Sequence, residues 1–292
     1  KFLYNEPFST RGGGGFQHGQ TQSTANCELT FDGCYFIGNK ANDKEGGALC
    51  LKVNYDMSIL NCHFENNEGS LGGAIYILPD YEVTITYATE KKIVISNCVF
   101  KSNIGNDGNA IYIGKGTQTD VEISSCTFND DNLDTSETTL GYSFVSGCRT
   151  TNIDNMTVNI KSSKITGAIH IISSSTFKLT NSNITLPANN GVLLDNSEIM
   201  ESKWVINISQ TKFNNIANEG SRIHIVDSSI STIDHCELRD ITGSPTTLFK
   251  VDISTSEGIT FDSLEVQRCT SSLSPIIILN EQSQSKKFTN CV

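Results

Sequence analysis

The chain is poor in several residue types that would mark a protein class. It carries 5 Pro, 3 Met and 1 Trp in 292 residues. Its longest aliphatic run, Ile276 to Leu279, is far short of the roughly 20 apolar residues of a membrane helix, so no membrane span is expected. Basic residues are in deficit, with 21 Lys and Arg against 32 Asp and Glu and a net charge of −11. Phosphate binding needs a basic face, so nucleic acid is not an expected partner. Ten Cys are too sparse for a disulfide-scaffold peptide. No two of them have Cys-x-x-Cys spacing, so neither a metal site nor a cofactor is expected. No signal peptide is visible and the first residue is Lys1, which fits a mature product or a part of something longer.

What is present is a repeat. Cys34-Tyr35-Phe36, Cys62-His63-Phe64, Cys98-Val99-Phe100 and Cys126-Thr127-Phe128 align, and the frame continues at Met156, Ser182, Thr211, Cys236, Leu264 and Cys291. Nine steps cover 257 residues, a mean of about 28.6. The longest step contains Pro79 to Lys92, a lengthened loop. Three residues before the frame position all ten residues are apolar, from Phe31 and Ile59 to Phe261 and Phe288. Two residues after it the nine available are apolar, from Phe36 and Phe64 to Leu238 and Val266. Chance does not produce two such columns.

Side chains two apart share a strand face, whereas positions −3 and 0 differ in parity. The chain must turn between them, at −1, where Gly33, Asn61, Asn97, Ser125, Asn155, Asn181, Gln210, His235, Ser263 and Asn290 stand. Asn tolerates the left-handed backbone of such a corner. The expectation is an inward Asn ladder at this bend, with Asn155 poorly accessible and His235 in a structural place. A third strand per repeat is clearest in Gly46-Gly47-Ala48-Leu49 and Gly72-Gly73-Ala74-Ile75.

These features describe an all-β fold, a right-handed parallel β-helix of about nine to ten coils of roughly 28 residues. The β-helix is expected over residues 27–292. Residues 1–26, with Gly12 to Gly15, are expected as an N-terminal cap or irregular first coil. Propeller blades are longer, and the Leu/Asn consensus of a leucine-rich repeat is absent. The last frame position, Cys291, falls one residue before the end. The expectation is that the solenoid continues in a longer protein or stacks end-on on another copy.

The pairing of Phe-x-x-Asn with Gly-Gly-Ala-[Ile/Leu] resembles the chlamydial polymorphic membrane proteins and related β-helix surface proteins of protists. It is carried by Phe36 to Asn39, Phe64 to Asn67 and Phe100 to Asn103, with Gly46 to Leu49 and Gly72 to Ile75. The match covers roughly residues 30 to 113 and then decays. The resemblance implies an extracellular or cell-surface protein with an adhesive role, whose partner is a host or matrix glycan or protein surface. Fold alone does not assign a function.

The six frame cysteines (Cys34, Cys62, Cys98, Cys126, Cys236 and Cys291) read as a column of reduced, buried thiols. In-register neighbours lie a strand spacing apart, which is wide for a disulfide. Cys27, Cys50, Cys148 and Cys269 lie off the column and are left as paired or exposed. His63 is expected to face outward. An outward column of Cys50, Tyr76, Tyr112, Ser143, His170, Leu194, His224 and Lys250 offers Tyr76, Tyr112, His170 and His224 as a stacking stripe for a glycan. Asn129 to Asp134 reads as a solvated acidic loop without the Gly and Glu of an EF-hand. Sequons stand at Asn155, Asn183 and Asn207; Asn183 and Asn207 are the expected glycan acceptors on a secretory route. The competing function is a polysaccharide lyase or glycoside hydrolase of the β-helix type. The chain has neither Gly-His-Gly nor Arg-Ile-Lys, so the expectation is a non-catalytic protein.

Overall fold

The computed structural model describes residues 1–3, 5, 13–19, 28–52, 55–79, 90–130, 140–161, 165–172, 175–185, 190–195, 205–214, 220–226, 230–239, 242–243, 246–253, 258–271, 277–281 and 286–292. Cys27, the interior of the loop after Pro79 and Asp131 to Asp134 lie outside them. All regular elements among the described residues are strands. Every pairing between them is parallel, and the chain winds as a β-solenoid.

Three ladders follow from the repeat. Strands just after the frame position form a ten-stranded sheet, from Phe2–Leu3 and Tyr35–Ile37 to Glu265–Gln267. Strands just before the bend form the second ladder. Its −2 residues pair one to the next as Asp32, Leu60, Ser96, Ser124, Asp154, Thr180, Ser209, Asp234, Asp262 and Thr289. The Gly-Gly-Ala strands form the third, which merges with the second through the long strands Ile111–Ser124 and Leu140–Asp154.

The corner at −1 has the expected backbone. All ten residues there, from Gly33 to Asn290, have φ between 47° and 61°. Their side chains face the other way from the expectation, because a left-handed residue between two strands turns its Cβ to the outside of the bend. Asn61, Asn97, Asn155, Asn181 and His235 are exposed. The Asn155 amide donates to Ser125 Oγ at 3.1 Å, and those of Asn61 and Asn181 donate to Asp32 and Asp154.

The buried Asn ladder sits instead at the Asn of Phe-x-x-Asn. Asn39 Nδ2 donates to Asn67 Oδ1 and Asn67 Nδ2 to Asn103 Oδ1, both at 2.9 Å. The same oxygens accept from the backbone N–H of Asn39 and Asn67 at 3.0 Å. All three side chains are fully buried, and a buried amide is stable only when its hydrogen bonds are met. Beside the ladder the Phe rings stack. Phe2, Phe36, Phe64, Phe100 and Phe128 lie 4.7–5.0 Å apart, centroid to centroid, with planes within 16°.

The Gly pairs have two separate reasons. Gly46 and Gly72 take φ of 68° and 64°, a region open to Gly. At Gly47 and Gly73 a Cβ would meet the next coil's backbone oxygen at 2.1 and 2.2 Å. The N-terminal segment repeats the pattern. Phe2 pairs with Phe36, and Asn5 Nδ2 donates to Asn39 Oδ1 at 2.8 Å. Gly13 has φ of 85°, and a Cβ on Gly14 would lie 2.5 Å from Gly47 O. Phe2-x-x-Asn5 and Gly13-Gly14-Gly15-Phe16 thus make one more copy, laid in register on Leu49–Lys52 through Phe16–Gly19.

Candidate functional site

Among the described residues, the inner columns are packed against one another rather than open to a ligand. The frame cysteines are free thiols; Cys62, Cys98, Cys126 and Cys236 are buried, Cys34 is half-buried and Cys291 exposed. Each thiol donates across the bend to the carbonyl of the residue two before it, at 3.1–3.5 Å. Ser182 and Thr211 do the same with hydroxyls, at 2.7 and 2.9 Å. Eight of the ten frame residues thus carry a small side chain with a donor, while Met156 and Leu264 fill the column by apolar packing alone. Hydrogen bonding with the Cys126 thiol, offset in part by Cys62, pushes Cys98 up to about 12, and burial pushes Cys236 up to about 11. Both stay protonated and inert near neutral pH. Cys50 and Cys148 are buried thiols, and Cys269 is a half-buried thiol at the register of the Asn ladder.

The outward stripe differs from its sequence outline. Tyr112 pairs with Val145 rather than Ser143, and His170 with Leu193 rather than Leu194. Two register shifts in the long strands, after Ile113 and after Gly116, account for the first of these differences. Ser143 instead points inward, where its Oγ donates to Asp130 Oδ2 at 3.2 Å. Asp130 is 1% exposed, so the solvated acidic loop starts no earlier than the residue after it. Tyr76 and Tyr112 stack at 5.8 Å, with Lys52 Nζ 5.7 Å from the Tyr76 centroid. Tyr76 is 7% exposed, and burial pushes its phenol up to about 12. Val145 separates Tyr112 from His170, and Leu193 separates His170 from His224. His170 lies 4.9 Å from the Tyr142 ring; its buried Nε2 has no hydrogen-bond partner, and burial lowers its basicity. The stripe therefore divides into a packed Tyr pair and two imidazoles set apart from each other by Leu193.

His63 stands half-buried on the outer face of the short-strand sheet, 3.0 Å from Glu65 Oε2 and 5.8 Å from the Tyr35 ring. His235 is exposed and bonded to Asp234. Of the sequon residues, Asn183 is exposed and accepts from Asn214 Nδ2 at 2.7 Å. Asn207 is half-buried, and Asn155 is exposed, against the expectation of poor access.

A concave surface exists elsewhere, on the outer face of the second ladder. It is a depression of about 780 Å³ spanning four successive strands. Two outward columns line it: Glu122, Asn152, Lys178 and Asn207 at −4, and Ser124, Asp154, Thr180 and Ser209 at −2. Asn181 and Gln210 of the bend form its rim. The register pairs Glu122 with Asn152, Asn152 with Lys178 and Lys178 with Asn207, so like positions recur at about 4.8 Å. The acids are engaged: Glu122 meets Lys92 Nζ at 2.8 Å, while Asp154 accepts from Thr180 Oγ1 at 2.6 Å and Asn181 Nδ2 at 2.8 Å. Those two hydrogen bonds, Thr180's first, hold the Asp154 carboxyl below the usual aspartate range. The outward columns read as ordinary polar strand residues in sequence; the signal for the depression was the run of Asn, Lys, Asp and Thr at −4 and −2 in consecutive repeats.

A parallel β-solenoid with a polar, hydrogen-bonding flank is the class these features define. No family model, curated protein or solved structure matches the chain.

Proposed function

We propose that the chain is a non-catalytic rod, a right-handed β-helix of nine to ten coils about 43 Å long, that is secreted or held at a cell surface and presents its polar flank to a glycan or protein partner. One observation carries this reading. The −2 column stays in register from Asp32 to Thr289, so like groups repeat at one spacing along a stiff support. The likeness to chlamydial polymorphic membrane proteins supports the surface and adhesive role. Immobilised protein is expected to capture glycans or matrix proteins and to leave polysaccharide chains at their starting length. Release of shortened or unsaturated products would overturn it in favour of a polysaccharide lyase or hydrolase.

A second reading, end-to-end association, is favoured by the last strands. Phe288 is 49% and Val292 90% exposed beside an open sheet edge. Such an edge can pair in parallel with a strand of another copy. Sedimentation over a hundredfold range of concentration is expected to show species growing along one axis; a constant monomer would sink this second reading alone.

A further inference from the structure

The three sequons lie close together along the rod, and the fold treats them differently. Asn155 of Asn155-Met156-Thr157 stands on the outside of the bend, exposed, with φ of 51°. Its column neighbours Ser125 and Asn181 are exposed as well, so a bulky group there meets solvent. The side-chain amide has two N–H groups, and it donates to Ser125 Oγ at 3.1 Å. An N-linked sugar replaces one N–H and keeps the other, so that hydrogen bond survives modification. Asn183 of Asn183-Ile184-Thr185 is exposed one coil further on, and its Oδ1 accepts from Asn214 Nδ2 at 2.7 Å. The sugar is carried by Nδ2, so this bond survives too. Asn207 of Asn207-Ile208-Ser209 is the opposite case. It is half-buried on the strand Val205–Ser209, in register between Lys178 and Thr232, and its Oδ1 is fully enclosed. Resonance keeps an amide planar, so enclosing Oδ1 also holds Nδ2 close to the sheet. A sugar on Nδ2 would have to lift the amide out of that packing.

We propose that Asn155, together with Asn183, carries an N-linked oligosaccharide and that Asn207 stays bare. The proposal rests on reading the chain as secreted or held at a surface. In the transfer, Nδ2 bonds to the anomeric carbon of a lipid-linked oligosaccharide. The bond from that carbon to the lipid diphosphate breaks, the diphosphate leaves with the electron pair, and Nδ2 loses one proton. Transfer precedes folding, so the fold acts as the filter: chains modified at Asn207 pack less well and are depleted from the exported protein. The corner geometry recurs at Asn97, which is exposed with φ of 53°. Asn97-Cys98-Val99 lacks only the hydroxyl residue of a sequon. Thr127 and Thr157 fill the place of Val99 in the next two coils, so the fold accepts Thr there.

The test is peptide mass mapping of the natural protein after glycan release by an amidase in heavy-oxygen water, which marks each formerly occupied Asn. Marks are expected on Asn155 and Asn183 and not on Asn207. A second arm expresses variants in a glycosylating secretory host. Asn155→Gln is expected to remove one glycan with little change in melting temperature, because Gln210 already occupies an equivalent corner with φ of 49°. Val99→Thr is expected to add one glycan, at Asn97. A bare Asn155 beside an occupied Asn183, a mark on Asn207, or no gain with Val99→Thr overturns the assignment. So do three bare sequons on natural protein recovered from the cell surface or the medium. Natural protein confined to the cytosol would instead overturn the secreted reading beneath it.

Discussion

Residues 2–113 and residues 140–292 wind on the same frame but are held by different devices. In the first region, repeats stack a Phe, bury an Asn amide ladder and press Gly backbones together. In the second, the Phe column passes to Val158, Ile184, Phe213, Leu238 and Val266, with Val158, Ile184, Phe213 and Leu238 buried. The described residue at the ladder position there is exposed at Lys161 and a thiol at Cys269. Both regions share the left-handed corner at −1 and the apolar residue at −3, and each has frame residues that donate across the bend. A β-solenoid thus needs the corner and the inward columns; the amide ladder and the Gly contacts add specificity to part of its length.

The largest expected effect that separates the regions lies in the column two after the frame. Phe100 is fully buried between the Phe64 and Phe128 rings. Phe100→Ala should cost about 3–5 kcal/mol, whereas Val158→Ala, losing two methyl groups, should cost about 2 kcal/mol. Urea melts measure both. Equal losses would mean that ring stacking adds nothing to the first region. Next comes Asn67→Ala, which leaves the Asn39 amide and backbone N–H without their acceptor, at about 1–3 kcal/mol for each orphaned group. A loss no larger than that of an exposed Asn would contradict the buried ladder.

Much of this contrast was legible before the structure. The corner at −1 followed from parity alone, because an odd offset between two inward pairs forces a turn. The side of the chain on which its side chains fall did not follow, since parity says nothing about a residue in the left-handed region. Parity therefore points to Asn61, Asn97 and Asn155 for the Asn ladder, although Phe-x-x-Asn also stands in the sequence. The first copy at Phe2 and Asn5 is hard to see in sequence because its frame position falls before Lys1 and Gly15 replaces the Ala. The depression was the least legible feature. Its residues are common on any polar strand face, and it takes shape through a register spanning four repeats.

The corner gives a smaller test common to both regions. Asn155 has φ of 51°, so Asn155→Val should cost about 1–2 kcal/mol. Asn155→Gly should change stability by less than about 0.5 kcal/mol. The smallest effect is acid sensitivity. Asp154 is held below the usual range by Thr180, then Asn181, and Glu65 by Lys101, then His63. Both pKa values are lower in the folded state, so their contribution is complete above the unfolded values near 4 and is lost as pH falls through the folded ones. Melting temperature should drop below about pH 4. Asp154→Asn should flatten part of that decline, and an unchanged acid limb would contradict the assignment.

The in-register stacking of the −1 corners is tested most directly by pulsed electron resonance between spin labels placed on them. Asn61, Asn181 and Asn290 are exposed and lie on one column, so cysteines introduced there, with Cys27, Cys34, Cys269 and Cys291 replaced by Ser, carry labels without disturbing the core. Four strand spacings separate Asn61 from Asn181 and eight separate it from Asn290. Distances centred near about 19 Å and about 38 Å are predicted. Two similar distances, or a second that is not close to twice the first, would contradict a single continuous solenoid.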